Sequence, residues 1–298
     1  MENICLRVLL TGATGFIGKY VYDRLLHKDI ELHIISRHPQ YFLKKSHVVD
    51  ILNCQETKTL IKKIKPQVLI HLAWDVTHDE FWFSSKNSIY ADATVNLFNV
   101  FLEQGGEKII STGTCAEYPT SENSVSENIV FDESILTPYG RSKKKVSKWL
   151  QKTNCDFTWL RIFGIYGDGE DSRRLFPSMI RAIQSNQEFI IKNSNIFCDY
   201  VYVDDVANFI VDCLCNKTLG VVNIGTGENY AVLDLYHAIT KYIKSGLFSI
   251  EKMIKKPDIN SRIPSVQKLH EYGYRFNLNS RFFKNLLPKN CKETKNNE

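Results

Sequence analysis

The residues with the clearest chemical potential are Tyr139 and Lys143, which stand four positions apart in the segment PYGRSK at 138–143. The proline favours the first turn of a helix, and a spacing of four puts the phenol and the ammonium on one helical face. A tyrosine with its ordinary pKa of about 10 is a poor base at neutral pH, but a neighbouring ammonium favours the phenolate. The pair is therefore predicted to exchange a proton with a reacting oxygen. Because Lys144 and Lys145 make the whole segment basic, the spacing is informative only together with other motifs.

A glycine-rich loop follows a short apolar strand, Arg7–Thr11, and leads into a helix. Gly12 permits a tight turn, Gly15 lets backbone N–H groups approach a pyrophosphate, and Gly18 lets helix and strand pack closely. The N-terminus of the helix then faces the anion. We therefore predict a dinucleotide site formed by Gly12, Thr14, Gly15, Phe16, Ile17 and Gly18.

The end of the second predicted strand bears on the choice of dinucleotide. NAD sites usually place a carboxylate there, about 20 residues past the loop, to bind the ribose hydroxyls. This chain has Ser36 and Arg37 instead. Arg37 offers a cation for a 2′-phosphate, so we expect NADP(H) as the cofactor. The alternative is NAD, with Arg37 as a solvated surface residue.

The elements that must position these residues alternate along the chain. Strands are predicted at 7–11, 32–36, 68–72, 108–111 and 158–163, and amphipathic helices at 18–27, 55–64, 87–103 and 140–151. This alternation predicts an α/β fold with a Rossmann-type, doubly wound parallel sheet. From residue 166 the pattern is less regular, which predicts a smaller C-terminal lobe. The expected division is a dinucleotide domain at 1–165, to which some later segments return, a substrate-binding lobe mainly at 166–287, and a frayed tail at 288–298.

Composition narrows the class of protein. The 298 residues are 43% hydrophobic and 24% charged, which excludes disordered and fibrous chains. No apolar run reaches the roughly 18 residues of a membrane span and no signal peptide precedes Gly12, so a cytoplasmic enzyme without a membrane partner is expected. The net charge of +5 is spread too thinly for nucleic acid. The eight cysteines lack zinc-site spacing, so no metal is expected.

The order of the motifs is more specific than any one of them. The glycine loop is followed by HLA at 71–73, STGTCAEY at 111–118, the Tyr139–Lys143 segment, RIFGIYG at 161–167, DYVYVDDVA at 199–207 and NIGTG at 223–227. Together they resemble the extended short-chain dehydrogenase/reductase family, the NAD(P)-dependent epimerase/dehydratase group that works on nucleotide sugars. The resemblance covers most of the chain. It implies a nucleotide-diphosphate sugar as substrate and a homodimer paired through the helices at 87–103 and 140–151.

The resemblance also implies roles for individual residues. Tyr139 resembles the family's acid/base, and Lys143 the residue that binds the nicotinamide ribose and lowers the pKa of the phenol. Thr114 matches the Ser/Thr that hydrogen-bonds the reacting sugar oxygen, with Thr112 as its rival. Without the motif, either threonine would be read as a strand-end hydroxyl bonded to local backbone. Further residues placed at the cofactor by the resemblance are Asp50, Ile51, Leu72 and Ala73, and Tyr139 is counted among the cofactor-binding residues as well.

One departure from the family pattern concerns the reaction. Members that eliminate water usually carry an acidic pair, or at least a glutamate, directly after the catalytic threonine, where this chain has Cys115 and Ala116. Glu117 lies one place late, so a 4,6-dehydratase is disfavoured. The expected activity is NADP(H)-dependent reduction of a 4-keto, 6-deoxy nucleotide sugar. The alternatives are a nucleotide-sugar 4-epimerase and a non-catalytic NADPH-binding sensor.

A second departure concerns the substrate. The family usually has an arginine for the diphosphate just before the Asp199-Tyr200 motif, where this chain has Cys198. A neutral thiol makes no charge-assisted contact with a phosphate. Arg174 and Arg262 are the candidate replacements, and for each the alternative is a solvated surface arginine.

Overall fold

The computed structural model describes residues 5–40, 43–78, 80–121, 123–191, 196–216, 218–246 and 260–278. The chain divides into two compact units. The first comprises Met1–Pro119, Val130–Ile162 and Val203–Ile224, and the second Thr120–Ile129, Phe163–Tyr202 and Gly225–Glu298. Residues 203–224, which lie beyond the expected boundary at 165, thus belong to the first unit. The predicted tail at 288–298 lies outside the described residues.

Strands and helices alternate through most of the chain. The strands are β1 (Leu6–Thr11), β2 (Ile30–Ser36), β3 (Ser46–Val48), β4 (Val68–His71), β5 (Lys108–Thr114), β6 (Asp156–Ile162), β7 (Gly164–Tyr166), β8 (Phe197–Cys198), β9 (Tyr200–Tyr202), β10 (Gly220–Ile224) and β11 (Tyr230–Ala231). The helices are α1 (Phe16–Leu25), α2 (Cys54–Ile64), α3 (Lys86–Glu103), α4 (Pro138–Leu150), α5 (Leu175–Gln184), α6 (Val203–Asp212), α7 (Val232–Ser245) and α8 (Gln267–Glu271).

The first unit is built on a seven-stranded parallel sheet of order β3-β2-β1-β4-β5-β6-β10. The chain runs outward from β1 to β3 and then returns past β1 to β4. Because parallel crossovers are right-handed, this reversal sends the helices after β1 and after β4 to opposite faces. The predicted doubly wound α/β fold is therefore confirmed.

One hydrophobic core of the first unit lies between the sheet and the row of helices α2, α3 and α4. Fully buried Leu9, Phe98 and Trp159 come from β1, α3 and β6. Burial of such side chains contributes about 1.5–3 kcal/mol each and holds the strand ends in register. Near the site, Thr137 caps α4 by accepting the backbone N–H of Gly140, and Pro138 occupies the first turn.

Several bounds differ from the sequence-based ones for local reasons. Helix α1 begins at Phe16 rather than Gly18, because Gly15 already serves as its N-cap. Strand β5 continues to Thr114, which pairs with Ile162 of β6. No strand is predicted at β10, because the alternation of strands and helices is less regular after residue 166. This strand is separated from α6 by residues 213–219 and pairs in parallel with β6. Among the described residues, no helix combines the length and the apolar character needed to cross a membrane.

The second unit contains β7, β8, β9, β11, α5, α7 and α8. Its small strands form two pairs, β7 with β9 and β8 with β11. Asp199, which is fully buried, accepts hydrogen bonds from the backbone N–H groups of Thr226 and Gly227. Burial raises the pKa of this carboxyl to about 6, although the same hydrogen bonds oppose the rise. The DYVYVDDVA and NIGTG motifs are thus joined by a buried carboxylate.

Candidate active site

The register of the sheet brings the candidate residues of the first unit to one edge. Thr11 lies opposite His71, and His71 lies opposite Ser111. The glycine loop, Leu72-Ala73 and Thr112–Thr114 therefore all follow carboxyl-terminal strand positions at the same level. In open α/β sheets this edge, beside the reversal of strand order, is where ligands bind.

The glycine loop is shaped by close backbone approach. Gly12 has a positive φ of 77°, and a Cβ there would lie 2.7 Å from the backbone of Leu72 and Ala73. A Cβ on Gly18 would lie 1.9 Å from the Gly12 carbonyl oxygen. A side chain at position 12 would push the glycine loop away from the segment that follows β4. A side chain at position 18 would push α1 away from the glycine loop.

The end of β4 is held by a buried hydrogen-bonded histidine. His71 Nδ1 lies 2.9 Å from the Thr11 hydroxyl and Nε2 lies 3.1 Å from the Thr94 hydroxyl. Burial lowers the pKa of His71 to about 3, so the ring is neutral at physiological pH. The Ala73 backbone N–H donates to the Thr11 hydroxyl at 3.3 Å. His71 therefore fixes the segment beside the glycine loop and has a structural part.

The residues expected at the adenosine end follow β2 and β3. Arg37 is exposed, with Nη1 3.5 Å from the Tyr90 hydroxyl of α3. The Ser36 hydroxyl donates to the His38 carbonyl, so it is engaged within its own turn. Asp50 accepts the backbone N–H of Leu52, and Ile51 is buried in the core. Of these residues, Arg37 offers charge to solvent.

Helix α4 reaches the end of β5 through a glycine. A Cβ on Gly140 would lie 2.0 Å from the Ala116 carbonyl oxygen, so only glycine lets the first turn of α4 approach so closely. The backbone N–H of Tyr139 donates to the Trp82 carbonyl at 3.2 Å. The Tyr139 ring packs edge-on against Trp74, Phe81 and Trp82, with ring centroids 6.3, 4.9 and 5.7 Å away. Three aromatic rings and a backbone hydrogen bond thus fix the orientation of Tyr139.

Lys143 projects from α4 onto β5. Its Nζ donates to the Thr112 carbonyl at 2.8 Å, and the side chain is buried. Burial lowers the pKa of Lys143 to about 7, and the charge of Glu117 opposes the fall. The ammonium that the sequence pairs with Tyr139 is therefore costly to keep charged.

Thr114 ends β5 and caps the 3₁₀ turn Cys115–Glu117. Its hydroxyl accepts the Ala116 N–H at 3.2 Å, and its own backbone N–H donates to Glu117 Oε1 at 2.9 Å. Accepting one bond occupies a lone pair and leaves the hydroxyl proton as a donor. Thr112 contributes its carbonyl, which holds Lys143. The two threonines therefore differ in local role.

Glu117 carries the network that sequence reasoning missed. Its carboxylate accepts from Arg161 Nε at 2.7 Å and from Trp159 Nε1 at 2.9 Å. Arg161 also donates to the Tyr118 hydroxyl at 2.6 Å, and that hydroxyl donates to Asn223 Oδ1. The signal available in the sequence was an acid in the STGTCAEY segment and an arginine opening the RIFGIYG segment, each close to the end of a predicted strand.

The two candidate substrate arginines lie in the second unit. Arg174 Nε lies 3.1 Å from Glu170 Oε1, and burial raises the pKa of Glu170 to about 7. Arg262 stands in a parallel β-bridge with Cys198, and its backbone N–H donates to the Phe197 carbonyl. The arginine and the thiol that replaces the family arginine are therefore lateral neighbours.

The chemistry of the glycine loop fits a dinucleotide. Among the described residues, no side chain caps the N-terminus of α1, and its first turn holds no acidic residue. The backbone N–H groups of this turn thus offer unscreened positive dipole ends to an anion. Gly12, Thr14, Gly15, Phe16, Ile17 and Gly18 are the residues that would hold the pyrophosphate of a bound cofactor.

The fold and this edge of the sheet together define a dinucleotide-dependent oxidoreductase or epimerase. A family model described as "NAD dependent epimerase/dehydratase family" matches residues 8–225, and the chain belongs to that family. The predicted family and enzyme class are confirmed.

Individual relatives agree with this assignment. The GDP-L-colitose synthase of Yersinia pseudotuberculosis is 23% identical over 297 residues, covering 90% of this chain and 92% of its own. The dTDP-4-dehydro-6-deoxyglucose reductase of Escherichia coli is 28% identical over 263 residues, covering 78% and 80%.

Solved structures show the same fold. The Bordetella bronchiseptica enzyme WbmG in complex with NAD superposes with a TM-score of 0.76 at 17% identity, covering 93% of this chain and 91% of its own. The UDP-glucose 4-epimerase of Thermotoga maritima, with UDP-glucose, gives 0.70 at 22% identity, covering 92% and 94%.

Proposed function

We propose that this protein is an NADP(H)-dependent reductase of a 4-keto, 6-deoxy nucleotide sugar. The observation that carries the proposal is that Glu117, the acid nearest Thr114 in this segment, is buried in an ion pair and is not available as an acid or base. Elimination of water needs a carboxylate beside the catalytic threonine, yet the adjacent positions are Cys115 and Ala116. Glu117, the next acid, is fully buried and paired with Arg161. Chemistry at C4 without elimination is what the remaining groups can perform.

Residues of α4 and β5 have different roles in the reaction at the sugar oxygen O4. A bound nicotinamide would supply the hydride for reduction of the C4 carbonyl. Tyr139 donates its phenolic proton to O4, which becomes the product hydroxyl. Thr114 donates a hydrogen bond to the same oxygen as its charge develops, an interaction that strengthens toward the transition state. Lys143 binds the nicotinamide ribose and lowers the pKa of the phenol.

The preference for NADPH rests on Arg37. Its exposed guanidinium stands just past β2, and Ser36 adds no negative charge beside it. A guanidinium binds a phosphate through paired, charge-assisted hydrogen bonds.

Recognition of the substrate diphosphate is assigned to Arg262. The family arginine is absent at Cys198, and Arg262 is the bridge partner of that residue on the adjacent chain segment. Because two residues paired in a β-bridge are direct neighbours, a cationic side chain at position 262 starts close to where one at position 198 would start. Arg174 remains the second candidate, but its pairing with Glu170 reduces the charge that it offers.

A nucleotide-sugar 4-epimerase is the second candidate function. Relatives include a UDP-glucuronate 4-epimerase from Thermodesulfobacterium geofontis, 27% identical over 250 residues, and several structural neighbours contain NAD. An epimerase recycles its cofactor, whereas a reductase consumes it.

We propose that the protein forms a homodimer through α3 and α4. An ion pair between Lys145 and Asp92 links the exposed parts of these two helices.

The deciding experiment is turnover of 4-keto nucleotide sugars with NADPH deuterated at the transferred position. Deuterium retained at C4 of an accumulating product supports the reductase. Interconversion of two C4 epimers without consumption of NADPH identifies an epimerase instead. Tight NADPH binding without turnover of any sugar in the panel would favour the sensor. Light scattering of the same preparation reports the oligomeric state.

A further inference from the structure

Trp74 lies directly against the ammonium of Lys143, and no motif gives it a role. The Nζ of Lys143 is 3.9 Å from the centroid of the indole ring, well within the range of a cation–π contact. Trp74 follows the HLA segment at the end of β4, and Lys143 comes from α4. Two separate elements therefore meet at the amine that the proposed function uses.

The other groups around Lys143 supply little compensation for its burial. Thr112 offers one carbonyl, and the Trp159 ring lies farther away, at 5.7 Å. The acid that faces Lys143 is Glu117 of the 3₁₀ turn, whose charge is already paired with Arg161. His71 of β4 stays neutral, since burial lowers its pKa to about 3. Tyr139 is the ionisable neighbour one turn away on α4 itself.

The orientation of Trp74 is fixed by a buried amide. The indole Nε1 donates to Asn87 Oδ1 at 3.0 Å. The Nδ2 of Asn87 donates to the carbonyls of Phe81 and Ser84, at 2.6 and 2.9 Å. Asn87 is 2% exposed, so these bonds form away from competing water. These hydrogen bonds therefore fix the orientation in which the face of the indole ring contacts Lys143.

We propose that Trp74 is a positioning residue of the Tyr139–Lys143 pair, whose indole face stabilises the charged form of Lys143 and holds its ammonium in place. The catalytic importance of that charge rests on the proposed function. Without the ring, Lys143 loses its proton at lower pH, and Tyr139 loses the cation that lowers the pKa of its phenol.

The test compares Trp74→Phe with Trp74→Leu. Both variants lose the indole N–H and its bond to Asn87, but only the phenylalanine keeps an aromatic face. Lysine labelled with ¹³C at Cε reports protonation by NMR in the protein without cofactor or substrate, and Lys143→Met assigns the resonance. We expect the pKa of Lys143 to fall by about half a unit or more in Trp74→Leu, and by clearly less in Trp74→Phe.

Two results would overturn the proposal. An unchanged pKa in Trp74→Leu would show that the ring does not stabilise the charge. Equal falls in both variants would assign the effect to the lost bond with Asn87. Should the leucine variant not fold, 5-fluorotryptophan in place of tryptophan keeps the shape and weakens the ring face; an unchanged Lys143 pKa there also rejects the proposal.

The titration needs no substrate, so it is separate from the fate of the proposed function. Turnover measurements test the effect on catalysis. At pH 7, kcat should decrease from wild type to Trp74→Phe and further to Trp74→Leu. If the Lys143 pKa falls as expected while no nucleotide sugar is turned over by the wild type, the inference about Trp74 stands and the proposed reaction fails.

Discussion

Arg161 Nε lies 2.7 Å from the Glu117 carboxylate, and their side chains are 3% and 0% exposed. The pair joins β6 to the turn Cys115–Glu117 that Thr114 caps, so it stabilises the end of β5. Glu117→Gln would leave the Arg161 charge buried without its partner. We expect the free energy of unfolding, measured with urea, to fall by about 3–5 kcal/mol.

The control for this change is Glu133→Gln. Glu133 forms a half-exposed ion pair with Lys148 at 2.7 Å and a longer one with Lys144 at 3.7 Å, and such a partly exposed pair contributes only about 0–1 kcal/mol. Equal losses in the two variants would contradict a special contribution of the Glu117–Arg161 pair.

Tyr139→Phe tests the proton donor. The ring keeps its packing against Phe81 and Trp82, but the proton for O4 is gone. We expect kcat to fall by roughly 10²–10⁴, while the cofactor Kd, measured by calorimetry, stays within error. Thr114→Val should cost less, because it removes one hydrogen bond and no proton. A Tyr139→Phe enzyme with full activity would move the acid role to another residue.

Arg37→Ala tests the choice of dinucleotide. Loss of the guanidinium should weaken NADPH binding by a factor that corresponds to about 1.5–3 kcal/mol and leave NADH unchanged. Lys28→Ala removes an exposed cation just after α1 and should affect neither cofactor. If the wild type binds NADH as tightly as NADPH, the preference is wrong and the epimerase gains weight.

Arg262→Ala tests the diphosphate contact, and the bridge with Cys198 provides its rescue. The single variant should raise the KM for the nucleotide sugar by a factor that corresponds to about 1.5–3 kcal/mol of binding free energy. The affinity for the cofactor should not change. Cys198→Arg in the Arg262→Ala background returns a cation to the neighbouring position and should restore part of the loss. A normal KM in both Arg262→Ala and Arg174→Ala would assign the phosphates to other groups.

Lys143 predicts a pH dependence of stability. Burial lowers its pKa from 10.5 to about 7, so between these values the unfolded chain binds a proton that the folded chain does not. The free energy of unfolding contributed by Lys143 should therefore rise as the pH increases from 7 to 10.5. Relative to Lys143→Met, the wild type should gain stability over this range in thermal melts. Lys145→Met, at an exposed position, should show no such difference.

Local patterns in the sequence were sufficient for the framework of the site. The glycine loop, the alternation of strands and helices, and the Tyr139–Lys143 spacing each depend on neighbours within a few turns of chain. Backbone requirements of this kind leave residue types at set intervals, as Gly12 and Gly18 show by the clashes that any Cβ would cause. The fold class and the family were predictable for that reason.

Tertiary structure alone decided which side chains meet. Glu117 and Arg161 are 44 residues apart, and their pairing depends on β5 and β6 lying side by side in one register. The contact of Trp74 with Lys143 depends on α4 packing where Gly140 admits it, and that of Cys198 with Arg262 on a bridge between distant segments. A side chain's partner and its burial are set by the packing of whole elements, which local spacing does not encode.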